Sequence, residues 1–474
     1  DSTNTTNLKF KWIKNIGTSI ISRVSIMIAG QEINKLYGEW LNVWSELNLT
    51  QDKRNQYNKL IGNVPDIYDP QHTPGNNGFY PSSSLNPSKI TDPEDFTNDI
   101  NPYRAPPSIL AREIIVPLPL WFCNHSGQAL PLIALQYSDI ELEIELRPLI
   151  DLYTIIETNP ESENYNTYVK PNPIRKEHRI GYYLSETLGS SDYSLFYTNK
   201  PSNTPEYQTL LATYNKLNEN TTSNLSWDLM PSLDINYVFL EESERKRFSK
   251  VTHEYLIEQV NRFQFTGLVN EHTLDIPALH PTKQIILVST RQDVTNRNDW
   301  TNYTNWKLEN ISPWSIGTEN YKNILSQANN INNTAITMEK LLDPNNTIFA
   351  NKGNINKYFK QNIIENITLL FNGVNRQSKR NYNFYNLVQP YSNLISNPKS
   401  GIYVYSFSLK DTADYQPKGT CNFSRLKKIQ LAVKLLEAPR TGSEYDYRYN
   451  INVYTVNYNI LRIMGGMGNL AFAS

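Results

Sequence analysis

Gly419-Thr-Cys-Asn-Phe-Ser-Arg425, followed by the alternating run Lys428-Ile-Gln-Leu-Ala-Val-Lys-Leu435, decides the fold of this chain because the pattern occurs twice. About 290 residues earlier, Ala129-Leu-Pro-Leu-Ile-Ala-Leu135 leads into a second alternating run, Asp139-Ile-Glu-Leu-Glu-Ile-Glu-Leu146. A strand pattern that recurs once in a long chain points to two copies of one β domain.

Working outward, Val24–Gly30 with the Trp40 segment pairs with Thr368–Gly373 and the Tyr385 segment, and a Trp121-Phe122 strand pairs with Tyr403–Phe407. Lys9–Trp12, Ser22–Ile28, Ile114–Phe122, Leu130–Tyr137, Ile140–Leu146 and Ile235–Leu240 read as strands of the first copy. Glu254–Val260, Thr273–Ile276, Gln284–Thr290, Ile367–Phe371, Ile402–Leu409, Leu426–Leu435 and Ile451–Ile463 read as strands of the second. Helical spacing marks Gly38–Leu47, a turn at Glu241–Phe248 and a segment at Tyr207–Leu217. Residues 50–110, 150–233 and 291–362 are rich in Asn, Pro and Ser and read as long surface loops. Short antiparallel strands without βαβ alternation give an all-β chain, a sandwich or a barrel in each of two tandem domains, 1–240 and 241–474.

The totals exclude several functions. The 474 residues carry 45 basic and 46 acidic side chains, so no bulk charge favours nucleic acid or an anionic membrane. No apolar run reaches the roughly 18 residues of a membrane helix. Cys123 and Cys421 cannot build a disulfide framework and read as reduced, buried thiols. The six histidines show no ligand spacing; His253-Glu254 opens like a zinc-protease helix, but Ile257 stands where the second histidine belongs. Gly466-x-Gly468-x-x-Ala471 has no following helix to hold a phosphate. No metal, cofactor or catalytic residue is assigned.

Asp139, Glu141, Glu143 and Glu145 share one strand face, with same-face neighbours roughly 6.6 Å apart, at the low end of the spacing of an inverting glycosidase pair. The same face of the second copy carries Lys428, Gln430, Ala432 and Lys434, which reverses the sign and suits charge matching between subunits. A glycan-binding or glycan-processing sandwich is the alternative that the acidic face supports. Among the sequons, Asn302, Asn310, Asn332 and Asn345 cluster in the insertion and are the candidate glycosylation sites; Asn124, Asn366 and Asn422 fall on strands.

The chain resembles the major capsid proteins of nucleocytoplasmic large DNA viruses. The resemblance runs, in order, through Ile28-Ala-Gly-Gln-Glu-Ile33, Tyr37-Gly-Glu-Trp-Leu41, Pro119-Leu-Trp-Phe-Cys123, Leu130–Tyr137, Glu244-Arg-Lys-Arg-Phe248 and His253–Gln259. It continues through His280-Pro-Thr-Lys283, Tyr385–Tyr391, Gly419–Arg425 and Asn457–Met464. It implies a double jelly roll, two eight-stranded sandwiches whose homotrimer is a pseudo-hexagonal capsomer of an icosahedral virion. It implies as partners neighbouring capsomers, minor capsid and penton proteins and a nearby internal viral membrane, with no direct nucleic acid. Such a protein is structural rather than enzymatic, assembles in the infected host cell, and turns its long loops, here 50–110 and 291–362, away from the membrane. Family members open with a Gly-rich segment and two strands ahead of the region matching Lys9–Gly30, so the first jelly roll is expected to lack its N-terminal strands as supplied, through truncation or because a second polypeptide provides them.

Overall fold

The computed structural model describes residues 10–73, 109, 112–157, 167–172, 231–307, 309, 360–409, 416–438, 440–441 and 444–472. In the first half, β1 (Phe10–Trp12), β2 (Ile21–Ile28), β3 (Gln31–Tyr37), β4 (Ile140–Leu146), β5 (Tyr153–Ile156) and β6 (Tyr168–Val169) form two three-stranded sheets, β3-β2-β4 and β1-β5-β6. In the second half the principal strands are β7 (His253–Leu268), β8 (Glu271–Asp275), β9 (Pro281–Arg291), β10 (Ile364–Phe371), β11 (Val374–Asn381) and β12 (Ile402–Ser406). The short β13 (Cys421–Asn422) precedes β14 (Ile429–Leu435), and the small hairpin β15 (Arg440–Thr441) and β16 (Glu444–Tyr445) leads into β17 (Tyr449–Met464) and β18 (Met467–Leu470).

The second half is a complete eight-stranded jelly roll. One sheet runs β7-β17-β9-β12 and the facing sheet β8-β14-β10-β11, all antiparallel, with β13 and β18 as short additions to the first. Counted along the chain, the eight principal strands interleave between the two sheets, so neither sheet can form without segments from both ends of this half.

The expected repeat is visible in detail. β2 and β10 each enter a two-residue turn, Ala29-Gly30 and Asn372-Gly373, in which both residues have positive φ (52° and 75°; 52° and 81°). That geometry matches the twist of a hairpin and favours Gly at its second position. Each hairpin then accepts the alternating strand on its other side, Ile28 opposite Ile140 and Phe371 opposite Ile429. Even the lead-in hydrogen bond repeats: Ala29 N donates to Asp139 O at 2.9 Å, and Asn372 N to Lys428 O at 2.8 Å. A helix follows each hairpin, Gly38–Asn48 in the first half and the continuous π/α segment Phe384–Asn393 in the second.

The core sits on both faces of the β7-β17-β9-β12 sheet. Ile285, Leu287, Tyr403, Tyr405, Ile451 and Val453 point into the jelly roll, where they meet Ile367, Leu369, Leu431 and Val433. Ile286, Val288, Ile402, Val404, Tyr454 and Val456 point the other way, into a second core with Val24, Ile26, Ile33, Leu36, Trp40 and Leu41 of the first half. Burial on both sides explains why Ile285–Val288 and Ile402–Tyr405 are apolar without interruption.

Three expected strands do not form. Residues 112–120 join no sheet among the described residues and Trp121–Asn124 is a helical turn; Pro117 and Pro119 remove alternate donors there. Within Leu130–Tyr137 the chain turns through the 3-10 segment Leu132–Ala134 behind Pro131. Ile235–Leu240 belongs to a stretch without sheet partners among the described residues, with Phe239 93% and Val238 77% exposed. Parts of the expected loops are ordered instead: Gln51–Leu60 and Pro65–Tyr68 are helices that bury Tyr57 and Ile67. Cys123 is exposed and Cys421 half-buried, so neither thiol is a core residue as expected. The Gly466-x-Gly468 stretch lies at the tight turn between β17 and β18. The Tyr207–Leu217 helix lies outside the described residues.

Candidate assembly surfaces

The acidic face forms as the alternation dictates. Asp139, Glu141, Glu143 and Glu145 are all exposed on the β4 side of the first-half sheet. Arg23, on the neighbouring β2, reaches Glu143 at 3.4 Å and Glu145 at 3.3 Å, so part of this charge is met within the sheet. On the equivalent strand of the second half, Lys428 meets Asp275 at 3.6 Å and Lys434 meets Glu365 at 3.5 Å. The two faces therefore carry opposite signs, and each keeps at least one local counter-ion. Exposed pairs of this kind contribute about 0–1 kcal/mol to folding, which leaves their fields available to steer association.

Of the glycosylation candidates, Asn310, Asn332 and Asn345 lie outside the described residues. Asn302 is fully buried, and its amide donates to Asp299 Oδ2 and Trp306 O, both at 2.9 Å. A glycan there would require this pocket to open.

The sequence pattern did not disclose the joint between the halves. The helix Gly38–Asn48 presses Trp40 against Tyr454 of β17, with ring centroids 5.1 Å apart. Beside it, the Glu39 carboxylate accepts hydrogen bonds from the Tyr454 hydroxyl and from Asn452 Nδ2. Burial pushes the Glu39 pKa up, an effect the two hydrogen bonds and the nearby Arg262 and Arg147 only partly offset. The only hint in the sequence is an acid beside Trp40 on an otherwise apolar helix face.

A second, ionic contact lies further along. Arg54 donates to Glu46 Oε2 at 2.9 Å and to Ser396 Oγ, and Glu46 also accepts from the Lys399 backbone N–H. Lys399 and Lys14, one from each half, close on the buried Glu309. Burial alone would raise the Glu309 pKa; the two ammonium groups outweigh it and hold the carboxyl below its ordinary value.

Where β9 ends, Arg291 is buried and held by Asp293 at 2.9 and 2.7 Å, by Asn305 O at 2.8 Å and by the Tyr447 ring. Arg297 adds a third hydrogen bond to Asp293 at 2.6 Å. Burial would raise the Asp293 pKa, but the two guanidinium charges overcome it and bring the carboxyl down to about 2. A depressed folded-state pKa contributes stability that is complete above the ordinary value of 3.8 and is lost as pH falls through about 2. At neutral pH this amounts to about 2 kcal/mol. In urea titrations, Asp293→Asn is therefore expected to lower the midpoint at pH 6, with the difference from wild type closing between pH 4 and pH 2. A gap that stayed constant across that range would contradict the assignment.

Among the described residues no group of three or more His, Cys, Asp or Glu side chains is placed to hold a metal ion, and no helix is long and apolar enough to cross a membrane.

Comparison with known proteins places these surfaces in context. A family model described as large eukaryotic DNA virus major capsid protein matches residues 244–469, and one described as major capsid protein N-terminus matches residues 1–173. The chain is 27% identical to the major capsid protein of Phaeocystis pouchetii virus, over 98% of this chain and 83% of that protein. It is 25% identical to the major capsid protein of Chrysochromulina ericina virus, over 98% of this chain and 80% of that one. Among solved structures it is similar in fold to the crystal structure of PBCV-1 VP54 fitted into a reconstruction of the virophage Sputnik. That match has a TM-score of 0.55 and 21% identity, and covers 100% of this chain and 92% of the other. The Faustovirus major capsid protein matches with a TM-score of 0.50 and 12% identity, over 96% and 74% of the two chains.

Proposed function

Because the chain belongs to the major capsid protein family of large eukaryotic DNA viruses, a double jelly-roll family whose members form the virion shell, we propose that it works as a homotrimer. The chain is a structural subunit of the virus capsid; the trimer is the finer reading. The observation that carries it is the repeated unit of hairpin, third strand and helix, set twice in one chain and joined broadside. Three such chains give a ring of six similar bodies, nearly six-fold in outline, while the two bodies of each chain remain free to diverge. Residues 1–240 and 241–474 are the two bodies on this reading.

The partners that follow are neighbouring capsomers, minor capsid and penton proteins, and an internal membrane below the shell. Each lattice contact can be modest, because one capsomer engages several neighbours together. Near-neutral net charge lets many copies crowd without accumulated repulsion. The loops 50–110 and 291–362 are assigned to the outer end, although described parts of them, among these 50–73 and 291–307, include helical turns packed into the molecule. Asp139, Glu141, Glu143, Glu145, Lys428 and Lys434 are assigned to contacts between subunits, and Asn310, Asn332 and Asn345 remain the glycosylation candidates.

Light scattering coupled to size exclusion, with negative-stain microscopy, tests the trimer. A mass of three chains and a hexagonal outline are expected; a monomer at every concentration would overturn it. The acidic β4 face supports one competing reading, a glycan-processing sandwich. Glu141→Gln with Glu143→Gln is expected to leave glycoside hydrolysis at the background level of the wild-type chain. An activity in the wild type that disappears in the double variant would favour the competing reading.

A further inference from the structure

The joint between the halves holds a carboxylate that no cation meets directly. Glu39 stands in the first turn of the helix Gly38–Asn48, beside Trp40, and is carried against β17 as that helix packs. Both hydrogen bonds it accepts go to one oxygen: Asn452 Nδ2 donates to Oε2 at 2.6 Å, and the Tyr454 hydroxyl donates to the same atom. Among the described residues nothing donates to Oε1, and no ammonium or guanidinium group forms an ion pair with either oxygen. The two guanidinium groups whose charge reaches Glu39 lie over aromatic rings instead, Arg262 from β7 over Tyr37 at 3.7 Å and Arg147 over Trp300 at 4.3 Å. The Tyr303 hydroxyl, fully buried on the segment after β9, also lies within reach of the Glu39 charge.

A carboxylate withdrawn from water without an ion pair is costly in its charged form. A proton on Oε1 removes the charge and leaves both hydrogen bonds to Oε2 in place. We propose that the joint is proton-linked: Glu39 carries a proton on Oε1 when the helix Gly38–Asn48 is seated on β17, and the seat loosens when that proton leaves. Burial raises the Glu39 pKa, and Tyr454, Asn452, Arg262 and Arg147 offset the rise only in part. A carboxyl whose folded-state pKa is raised contributes stability that is complete below its ordinary value of 4.5 and is lost as pH rises through the folded-state value. Acid therefore tightens the joint and alkali relaxes it. The Asp293 cluster has the opposite sign, since it fails only in acid. The proton link belongs to the single chain and does not depend on the trimer.

The test uses the full chain. Urea unfolding of the wild type and of Glu39→Gln is followed at equal protein concentration from pH 4.5 to pH 8. Glutamine keeps an oxygen for both donors and has no proton to lose. The ratio of folding constants, variant over wild type, is expected to rise about tenfold or more across that range, at no more than tenfold per pH unit. It should level off where Glu39 ionises in the folded chain. A ratio that stays constant, or falls, would overturn the proposal. Tyr454→Phe gives a second reading that does not need the glutamine variant to fold. It removes a hydrogen bond that favours the charged carboxylate, so its deficit relative to wild type is expected to deepen as pH rises above 4.5. A deficit that does not change above that pH, or that deepens only below it, would show that Glu39 is already ionised in the folded chain and would end the proposal.

Discussion

Trp40→Ala is expected to destabilise the whole chain by about 3–5 kcal/mol, the range for truncating a buried tryptophan. The indole is 4% exposed and lies against Tyr454, so its removal leaves a cavity across the joint rather than inside one half. The loss extends to Glu39. Its carboxylate is held by Tyr454 and Asn452 on the far side of that joint, and water admitted by the cavity competes for those hydrogen bonds. Urea unfolding followed by near-ultraviolet circular dichroism should show one transition moved to lower denaturant, because the core around Trp40 draws on both halves. Trp40→Phe should recover much of the loss. A shift of less than about 1 kcal/mol for the alanine variant would mean that the joint is held elsewhere.

Gly401→Ala has the second large expected effect. Gly401 precedes β12 with φ at +93°, outside the range L side chains adopt. A Cβ there would lie 1.9 Å from the backbone oxygen of Tyr303, itself fully buried. Backbone strain and overlap with main-chain atoms together predict a cost of about 4 kcal/mol or more. The Gly401 carbonyl also accepts the Ser289 N–H, so any shift at this residue disturbs the edge of β9. Little soluble protein is expected. Gly373→Ala is the control: φ is also positive at +81°, yet no atom lies within 4 Å of the added carbon. It should cost only about 1–2 kcal/mol. Equal soluble yield and equal midpoints for the two variants would refute the steric argument.

The repeat and the all-β class were legible in the residues because alternation and turn chemistry are local, whereas the jelly roll was implied by the family resemblance. Ile140–Leu146 and Ile429–Leu435 declare their faces unaided, and Asn372-Gly373 declares its turn. What local pattern cannot report is whether a strand finds a partner. Ile114–Phe122 and Ile235–Leu240 have strand composition, but the described residues provide no ladder for either. The same limit hid the joint. Nothing in the spacing of Trp40 or Glu39 says that their neighbours lie more than 400 residues away on β17. The charged faces were readable as faces; the local counter-ions Arg23, Asp275 and Glu365 were not, since each arrives from a neighbouring strand.

The β7-β17-β9-β12 sheet has a mechanical consequence. Each half needs it as a wall, and neither can peel away without laying bare a face of isoleucine, valine and tyrosine. The chain therefore enters the shell as one stiff brick instead of two hinged ones, and the bending that a closed, curved surface demands has to be taken up at the seams between bricks.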